Sequence, residues 1–346
     1  LGPTMRSLSL RSNAGLVGEI PGEALAAMSG LELLGLSQNN LTGPVPAELG
    51  RLGRLQHLDL SGNFLSGELP AELGGLESLV ILDVSGNAGL TGPLPAEWGK
   101  LLHLQKLDIS YNAIHGVIPE EIGGMSSLRF LAGSGNRING PIPGSVANLR
   151  LLQYFILDNN PVNSTVPEFF VSSGSDSDGW SSLMALSMAN AGLLGPIPDS
   201  LGRLGNLSVL SLQGNQLSGA IPEGLGKLEH MYHMDLSRNR LSGEIPFTPA
   251  FVQKLGGNLD LSINTGLCAS ASSASSASAS AASDSGNGNG NGNEEEEARK
   301  LGLAVCPRSA MPHSSSSASV FRRASLVCVF VTCHCLFLHL NRRDLT

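Results

Sequence analysis

The chain has 346 residues, with 21 basic against 29 acidic side chains and a net charge of −8. That balance excludes a binder that works by neutralising nucleic-acid phosphates. Aromatic residues make up 4% and charged residues 14%, while 43 residues are glycine. Such a mixture does not build a compact enzyme core; it suits a chain that turns a corner at short intervals.

One pattern recurs along the chain. Its clearest copy is Leu55-Gln56-His57-Leu58-Asp59-Leu60-Ser61-Gly62-Asn63-Phe64-Leu65-Ser66-Gly67-Glu68-Leu69-Pro70. The asparagine of that copy returns at Asn13, Asn39, Asn87, Asn112, Asn136, Asn160, Asn215, Asn239 and Asn264, and Ala191 holds the same place between Asn160 and Asn215. Neighbouring anchors are 24 to 26 residues apart, except for one gap of 31. Self-similarity at this period predicts an α/β solenoid of about ten turns.

Each turn predicts the same run of elements. In Leu-x-Leu the two leucines share one face of a short strand because side chains alternate. Strands of successive turns then stack into a parallel sheet at about 4.8 Å per turn. The anchor asparagine follows, where the chain turns with its backbone polar groups buried; its amide can bond them in a ladder, which leucine or alanine cannot. The glycine four residues on serves a tight turn, Ile/Val/Leu-Pro extends the return path, and segments such as residues 71–76 supply one helical or 3₁₀ turn.

Departures from the pattern carry information. Asn13 and Asn87 are each followed by Ala-Gly before the next leucine, a one-residue bulge in the turn. Gly133 replaces the second strand leucine, forfeiting about 1.5–3 kcal/mol of burial and leaving the core thinnest there. Ser164 stands where the turn glycine should be. The 31-residue gap places an insertion at about 168–182, expected to leave the solenoid as a mobile loop.

The composite Leu-x-x-Leu-x-Leu-x-x-Asn-x-Leu-x-Gly-x-Ile-Pro resembles the plant-specific class of extracellular leucine-rich repeats, over residues 5–268. The closing stretch, Phe247-Thr248-Pro249-Ala250-Phe251 through Asn264-Thr265-Gly266-Leu267-Cys268, is similar to the C-terminal region of receptor-like proteins related to Piriformospora indica-insensitive protein 2. This resemblance implies a right-handed leucine-rich-repeat superhelix with its parallel sheet on the concave face. It also implies cell-surface recognition without a kinase of its own, and no kinase signature follows Cys268. Proteins of this class carry a secretory leader and a cysteine-paired N-terminal cap. Here the chain opens inside a repeat at Leu1-Gly2-Pro3-Thr4-Met5, so it reads as truncated.

Three Asn-x-Ser/Thr sequons, at Asn40, Asn163 and Asn206, fall at turn or loop positions and are candidate glycosylation sites. The five cysteines, Cys268, Cys306, Cys328, Cys333 and Cys335, all lie at or after the end of the array. No disulfide framework therefore holds the repeats. Cys268 calls for a partner in an oxidising compartment, and Cys306 is the nearby candidate. Residues 269–323, with Ser/Ala repeats, Gly-Asn alternation and Glu294 to Glu297, read as a disordered spacer. Residues 324–340 are an apolar run between arginine pairs, at the lower limit for a membrane-spanning segment, and residues 341–346 form a short tail.

No catalytic set stands out. His230 and His233 have metal-like spacing but straddle a loop and a strand of one ordinary repeat. Asp59, Asp83, Asp108 and Asp235 share one column of the repeat, a structural habit rather than four catalytic acids. No cofactor and no metal are expected.

Binding is the better prospect, on the solvent face of the sheet. Alternation places Ser7, Leu33, His57, Ile81, Lys106, Phe130, Tyr154, Ala185, Val209 and His233 there in one column. Lys106, Phe130 and Tyr154 follow one another, flanked by Tyr111, Arg129, Ile156 and Asp158. Residues of these types carry interface energy, so these seven form the candidate ligand groove, at the turns anchored by Asn112, Asn136 and Asn160. With the resemblance, the expected function is a plasma-membrane receptor-like protein that binds a peptide, carbohydrate or protein and signals through a co-receptor kinase, in defence or symbiosis. The rival readings are a secreted inhibitor of a microbial wall-degrading enzyme and a truncated scaffold fragment.

Overall fold

The computed structural model describes residues 4–168, 180–269 and 304–305. The expected spacer (apart from Ala269, Ala304 and Val305), the apolar run 324–340 and the tail 341–346 lie outside them. So does the expected insertion, apart from Glu168 and residues 180–182.

Eleven parallel strands form one long sheet, from Ser7–Ser9 to Leu259–Asp260, one strand for each anchor asparagine and one for Ala191. The register is strict: Ile81 pairs with Lys106, Lys106 with Phe130, Phe130 with Tyr154, and Tyr154 with Ala185. The middle residue of each strand points inward, and Leu58, Leu82, Leu107, Phe155 and Leu210 are wholly buried. One continuous core runs from Ile20 to Leu267.

The anchor asparagines form the expected ladder. Asn63 donates from Nδ2 to its own turn's Leu60 carbonyl at 3.0 Å and to the previous turn's Leu36 carbonyl at 2.9 Å, while its Oδ1 accepts from the Leu41 N–H at 3.1 Å. Asn112, Asn136, Asn160, Asn215 and Asn239 also donate to the corresponding carbonyls of both turns. At Ala191 the ladder misses a rung, so the Leu157 carbonyl keeps only the bond from Asn160, at 3.0 Å.

The residue just before every anchor is left-handed, with φ between 52° and 70° from Ser12 to Ile263. Glycine fills the position at Gly62, Gly86, Gly135 and Gly214, and asparagine at Asn159 and Asn190. Tyr111, Arg238 and the β-branched Ile263 also adopt it, at a cost that glycine avoids. The aspartate column prepares this turn. Asp59, Asp83, Asp108, Asp235 and Asp260 each accept a hydrogen bond from the backbone N–H two residues on, at 2.9–3.2 Å, as side chains that initiate turns do.

Past each anchor the chain contributes to a second parallel ladder. Four strands from Val17–Glu19 to Gly89–Thr91 form one sheet, His115–Gly116 and Arg137–Ile138 a pair, and Leu194–Gly195 begins another that ends with Ala304–Val305. Between the pair and the last sheet, the bridge of Thr165 to Leu194 continues it among the described residues.

On the opposite side lie 3₁₀ helices such as Ala47–Arg51, Ala71–Gly75, Ala96–Lys100 and Glu120–Gly124. They stack closely through glycine: a Cβ on Gly50, Gly74 or Gly99 would meet the carbonyl oxygen of Glu72, Glu97 or Glu121 at 2.2, 2.5 and 2.2 Å.

One sequence expectation needs correction. Trp180, assigned to the insertion, is wholly buried and donates from Nε1 to the Val146 carbonyl at 3.0 Å, so the solenoid has resumed by that residue. At Gly133, expected to thin the core, Leu157, Ile138 and Ile109 close in to within 3.1–3.4 Å of the place a Cβ would take. At the C-terminal end, Thr248 caps the helix Pro249–Leu255 by accepting from the Phe251 N–H at 3.2 Å. Cys268 is disulfide-bonded, and the strand Gly266–Ala269 pairs with Ala304–Val305.

Candidate ligand-binding surface

The face of the long sheet turned away from the leucines is its open face, and the strand register puts six of the seven candidate residues on or beside it. They differ sharply in what they present to solvent. Lys106, Phe130 and Tyr154 occupy one column as expected, but they are only 9%, 8% and 6% exposed. Lys106 Nζ lies 2.8 Å from Asp83 Oδ2 and 3.7 Å from Asp108 Oδ2, and 5.4 Å from the centre of the Phe130 ring. The Phe130 and Tyr154 rings pack at 5.7 Å with a 44° tilt. These three therefore present little surface to solvent: they lie on the sheet and cover one another.

What this cluster offers is a rigid base. Burial alone would pull the Lys106 ammonium down, but Asp83 and Asp108 outweigh it and hold the group above its usual range, firmly charged. Burial, reinforced by Asp83, pushes the Asp108 carboxyl up.

Arg129, Ile156 and Asp158 are partly exposed around that base. Asp158 accepts from the Ser187 hydroxyl at 2.6 Å and the Ala189 N–H at 2.7 Å. Burial nevertheless holds its carboxyl above the usual carboxylate range. Tyr111 stands at the edge rather than on the face, left-handed at φ 57° and 46% exposed. Farther along, Asp59 pairs with Arg11 at 3.1 Å. His57 is held below its usual range by burial and by Arg11. His233 sits on the strand His233–Asp235 with its Nε2 buried and lacking a hydrogen-bond partner among the described residues.

Asn40, Asn163 and Asn206 are all exposed, and all lie off the open face. Each amide donates to a backbone carbonyl, of Ala14, Pro161 and Ser181 respectively.

Sequence reasoning missed the ion cluster, although its signal was present. Residues 106 and 108 share a face by alternation, and Asp83 is one turn from Asp108 in the same column. It also missed the left-handed column, which the glycines and asparagines immediately before the anchors mark.

The structure thus defines a leucine-rich-repeat solenoid, and comparison agrees. The family described as Leucine rich repeat matches residues 3–65 and 77–138, and the one described as Leucine Rich Repeat matches residues 206–228. No curated protein matches the sequence. The chain is structurally similar to plant leucine-rich-repeat receptor ectodomains. One is the Arabidopsis receptor kinase HAESA, solved with the peptide hormone IDA and the co-receptor SERK1, at 33% identity and a TM-score of 0.68; the match covers 77% of this chain and 42% of that one. Another is PEPR1 with AtPEP1, at 32% identity and a TM-score of 0.64, covering 78% and 39%. A plant ice-binding protein matches at 27% identity with a TM-score of 0.55, covering 77% and 74%. The chain thus spans about two fifths of the length of both receptor chains.

Proposed function

We propose that this chain is a non-enzymatic extracellular recognition array, the ligand-binding part of a receptor-like protein that takes a peptide on the open face of its long sheet. The observation that carries this reading is the arrangement at three consecutive turns. Arg129, Ile156 and Asp158 stand partly exposed around a base made rigid by Lys106, Phe130 and Tyr154. A preorganised base lowers the ordering cost of binding, and a mixed cationic, apolar and anionic rim suits a peptide better than a uniform surface would. The likeness to ectodomains solved with peptide hormones supports the same ligand class. The three sequons leave the open face clear, so glycans there would not block it.

The finer reading is a receptor-like protein of the group related to Piriformospora indica-insensitive protein 2, acting in defence or symbiosis. It rests on residues 247–268. Signalling then needs a partner kinase recruited beside the array, and residues 324–340 would supply a membrane anchor.

The test uses Arg129→Ala and Ile156→Ala, which remove exposed side chains without opening the base. The chain, immobilised, is exposed to secreted plant peptides, and those retained are identified by mass spectrometry and resynthesised for titration. Each substitution should weaken a retained peptide at least about tenfold, as hot-spot truncations do. Unchanged affinity in both variants would refute the open face as the site.

A further inference from the structure

The aspartate column of the open face ends in two carboxylates that lack what its earlier members have. Asp59, Asp83, Asp108, Asp235 and Asp260 all commit Oδ1 to the backbone N–H two residues on. In the first three, Oδ2 faces a cation. Arg11 lies 3.1 Å from that of Asp59, and Lys106 Nζ lies 2.8 Å from that of Asp83 and 3.7 Å from that of Asp108. Among the described residues, Asp235 and Asp260 form no ion pair.

The two pairs are built alike. Asp83 pairs in register with Asp108, and Asp235 with Asp260. Each pair therefore sets two carboxylates on one face of neighbouring strands about 4.8 Å apart. Lys106 precedes Asp108 by two residues and brings its ammonium to both members of the first pair. The residue two before Asp260 is Asn258, which carries no charge. The first pair thus shows, within the same chain, what this placement of carboxylates holds.

Without a cation the last pair is costly. Asp235 is only 8% exposed, and like charges directly opposite each other destabilise a sheet. Burial pushes the Asp235 carboxyl above its usual range and Asp260 adds to the push, against the opposing pull of Ser237 and His233. His233, on the same strand, forms no ion pair with either carboxylate, and its Nε2 is buried without a hydrogen-bond partner among the described residues. A cation supplied from outside the chain would offset both burial and repulsion, as Lys106 acts on Asp108.

We infer that Asp235 and Asp260 form a cation subsite of the open face that takes the ammonium of a lysine in the peptide ligand. This deepens the peptide reading and rests on it. Ile156 pairs with Ser187, Ser187 with Ser211, and Ser211 with Asp235. Only two short serine side chains therefore separate Ile156 from the subsite along this column. Three to four strand steps make about 14–19 Å, which an extended peptide covers in roughly four to six residues. The lysine should fall at that spacing from the residue seated on Ile156.

The full chain is titrated by NMR with the pentapeptide acetyl-Ala-Ala-Lys-Ala-Ala-amide and with its norleucine analogue. The lysine peptide should shift the amide signals of Ser237 and Ser262, and the analogue should not. Asp235→Asn and Asp260→Asn should each weaken the lysine peptide at least about tenfold, as removal of one member of a charge pair does. Asn258→Lys, which supplies the cation from the chain itself, should raise the melting temperature and block the peptide. Glu72→Gln combined with Glu97→Gln removes two exposed charges from the helical side and should leave binding unchanged. Equal binding of the analogue, full binding by an asparagine variant or by Asn258→Lys, or an equal loss in the glutamine variant overturns the inference. The two readings also fail separately. A secreted peptide that needs Arg129 and Ile156 but keeps its affinity when its lysines become norleucine would overturn the subsite and leave the peptide site standing. A lysine probe held by the pair, with no secreted peptide retained, would support the subsite and refute the peptide site.

Discussion

The carboxylate of Asp158 accepts a 2.6 Å hydrogen bond from the Ser187 hydroxyl, a contact that joins the turns on either side of the longest gap between anchors. The same carboxylate is held above its ordinary range by burial, despite that bond and the one from Ala189. A carboxyl raised on folding binds its proton more readily in the folded state. It therefore lowers stability as pH rises through the window between its unfolded and folded values. Asp158→Asn keeps an acceptor oxygen for Ser187 and removes the buried charge. It should raise the melting temperature at pH 7, and the advantage should shrink as pH falls through the folded Asp158 value. An advantage that grows on acidification would contradict this assignment.

The anchor ladder makes a graded prediction. Asn112→Ala would leave the buried Asn87 N–H without its acceptor, while the Ile109 and Val84 carbonyls keep their bonds from Asn136 and Asn87. That one unsatisfied N–H, with the weakened carbonyl bonds, should cost about 1–3 kcal/mol. Asn13, whose side chain is exposed and accepts only from the Gly15 N–H at 3.3 Å, is the control. Its alanine variant should fall within about 0.5 kcal/mol of the parent. Urea denaturation of the two variants measures the difference.

Ile263 is a β-branched residue at φ 56° and 64% exposed, so it carries strain without compensating burial. Ile263→Gly should stabilise by up to about 1 kcal/mol, the relief of left-handed strain being partly offset by the added freedom of the unfolded chain. Gly135→Ala should do the opposite, since its φ is 67° and its Cβ would strike the Tyr111 ring. Thermal melts of both variants would expose an error in either sign.

Glycine on the helical side is needed for space. Gly74→Ala places a methyl 2.5 Å from the Glu97 carbonyl oxygen and should cost about 1–3 kcal/mol, as overpacking does. Gly53→Ala meets nothing within 4 Å. Equal stability of the two variants in guanidinium would show that the stacked turns can slide apart.

Much of the architecture was legible because a 24-residue period leaves few alternatives. The spacing of Leu58, Leu60 and Asn63 implies strand, turn and ladder together, and alternation alone put Lys106, Phe130 and Tyr154 on one face. Exposure was not legible. Alternation gives the direction of a side chain, but neighbouring turns about 4.8 Å apart let large side chains bury one another. Trp180 was misplaced for a related reason: a run of serine, glycine and aspartate ahead of it concealed a residue that fills the slot taken elsewhere by Leu149 or Leu204. The second ladder was missed because its strands, such as Phe64–Glu68, contain glycine and lack a distinctive alternation.

The absent rung at Ala191 also bears on how the array responds to force. Each turn of a solenoid touches chiefly its neighbours, so the turns act like springs in series. Near Ala191 one asparagine bridge is missing, and the second ladder narrows to the Thr165–Leu194 bridge. Turns in series all carry the same load, so the array should part at its weakest link. Stretching in an optical trap should open this junction first, and earlier still once Asp158→Ala removes the bonds to Ser187 and Ala189 that stand in for the missing rung.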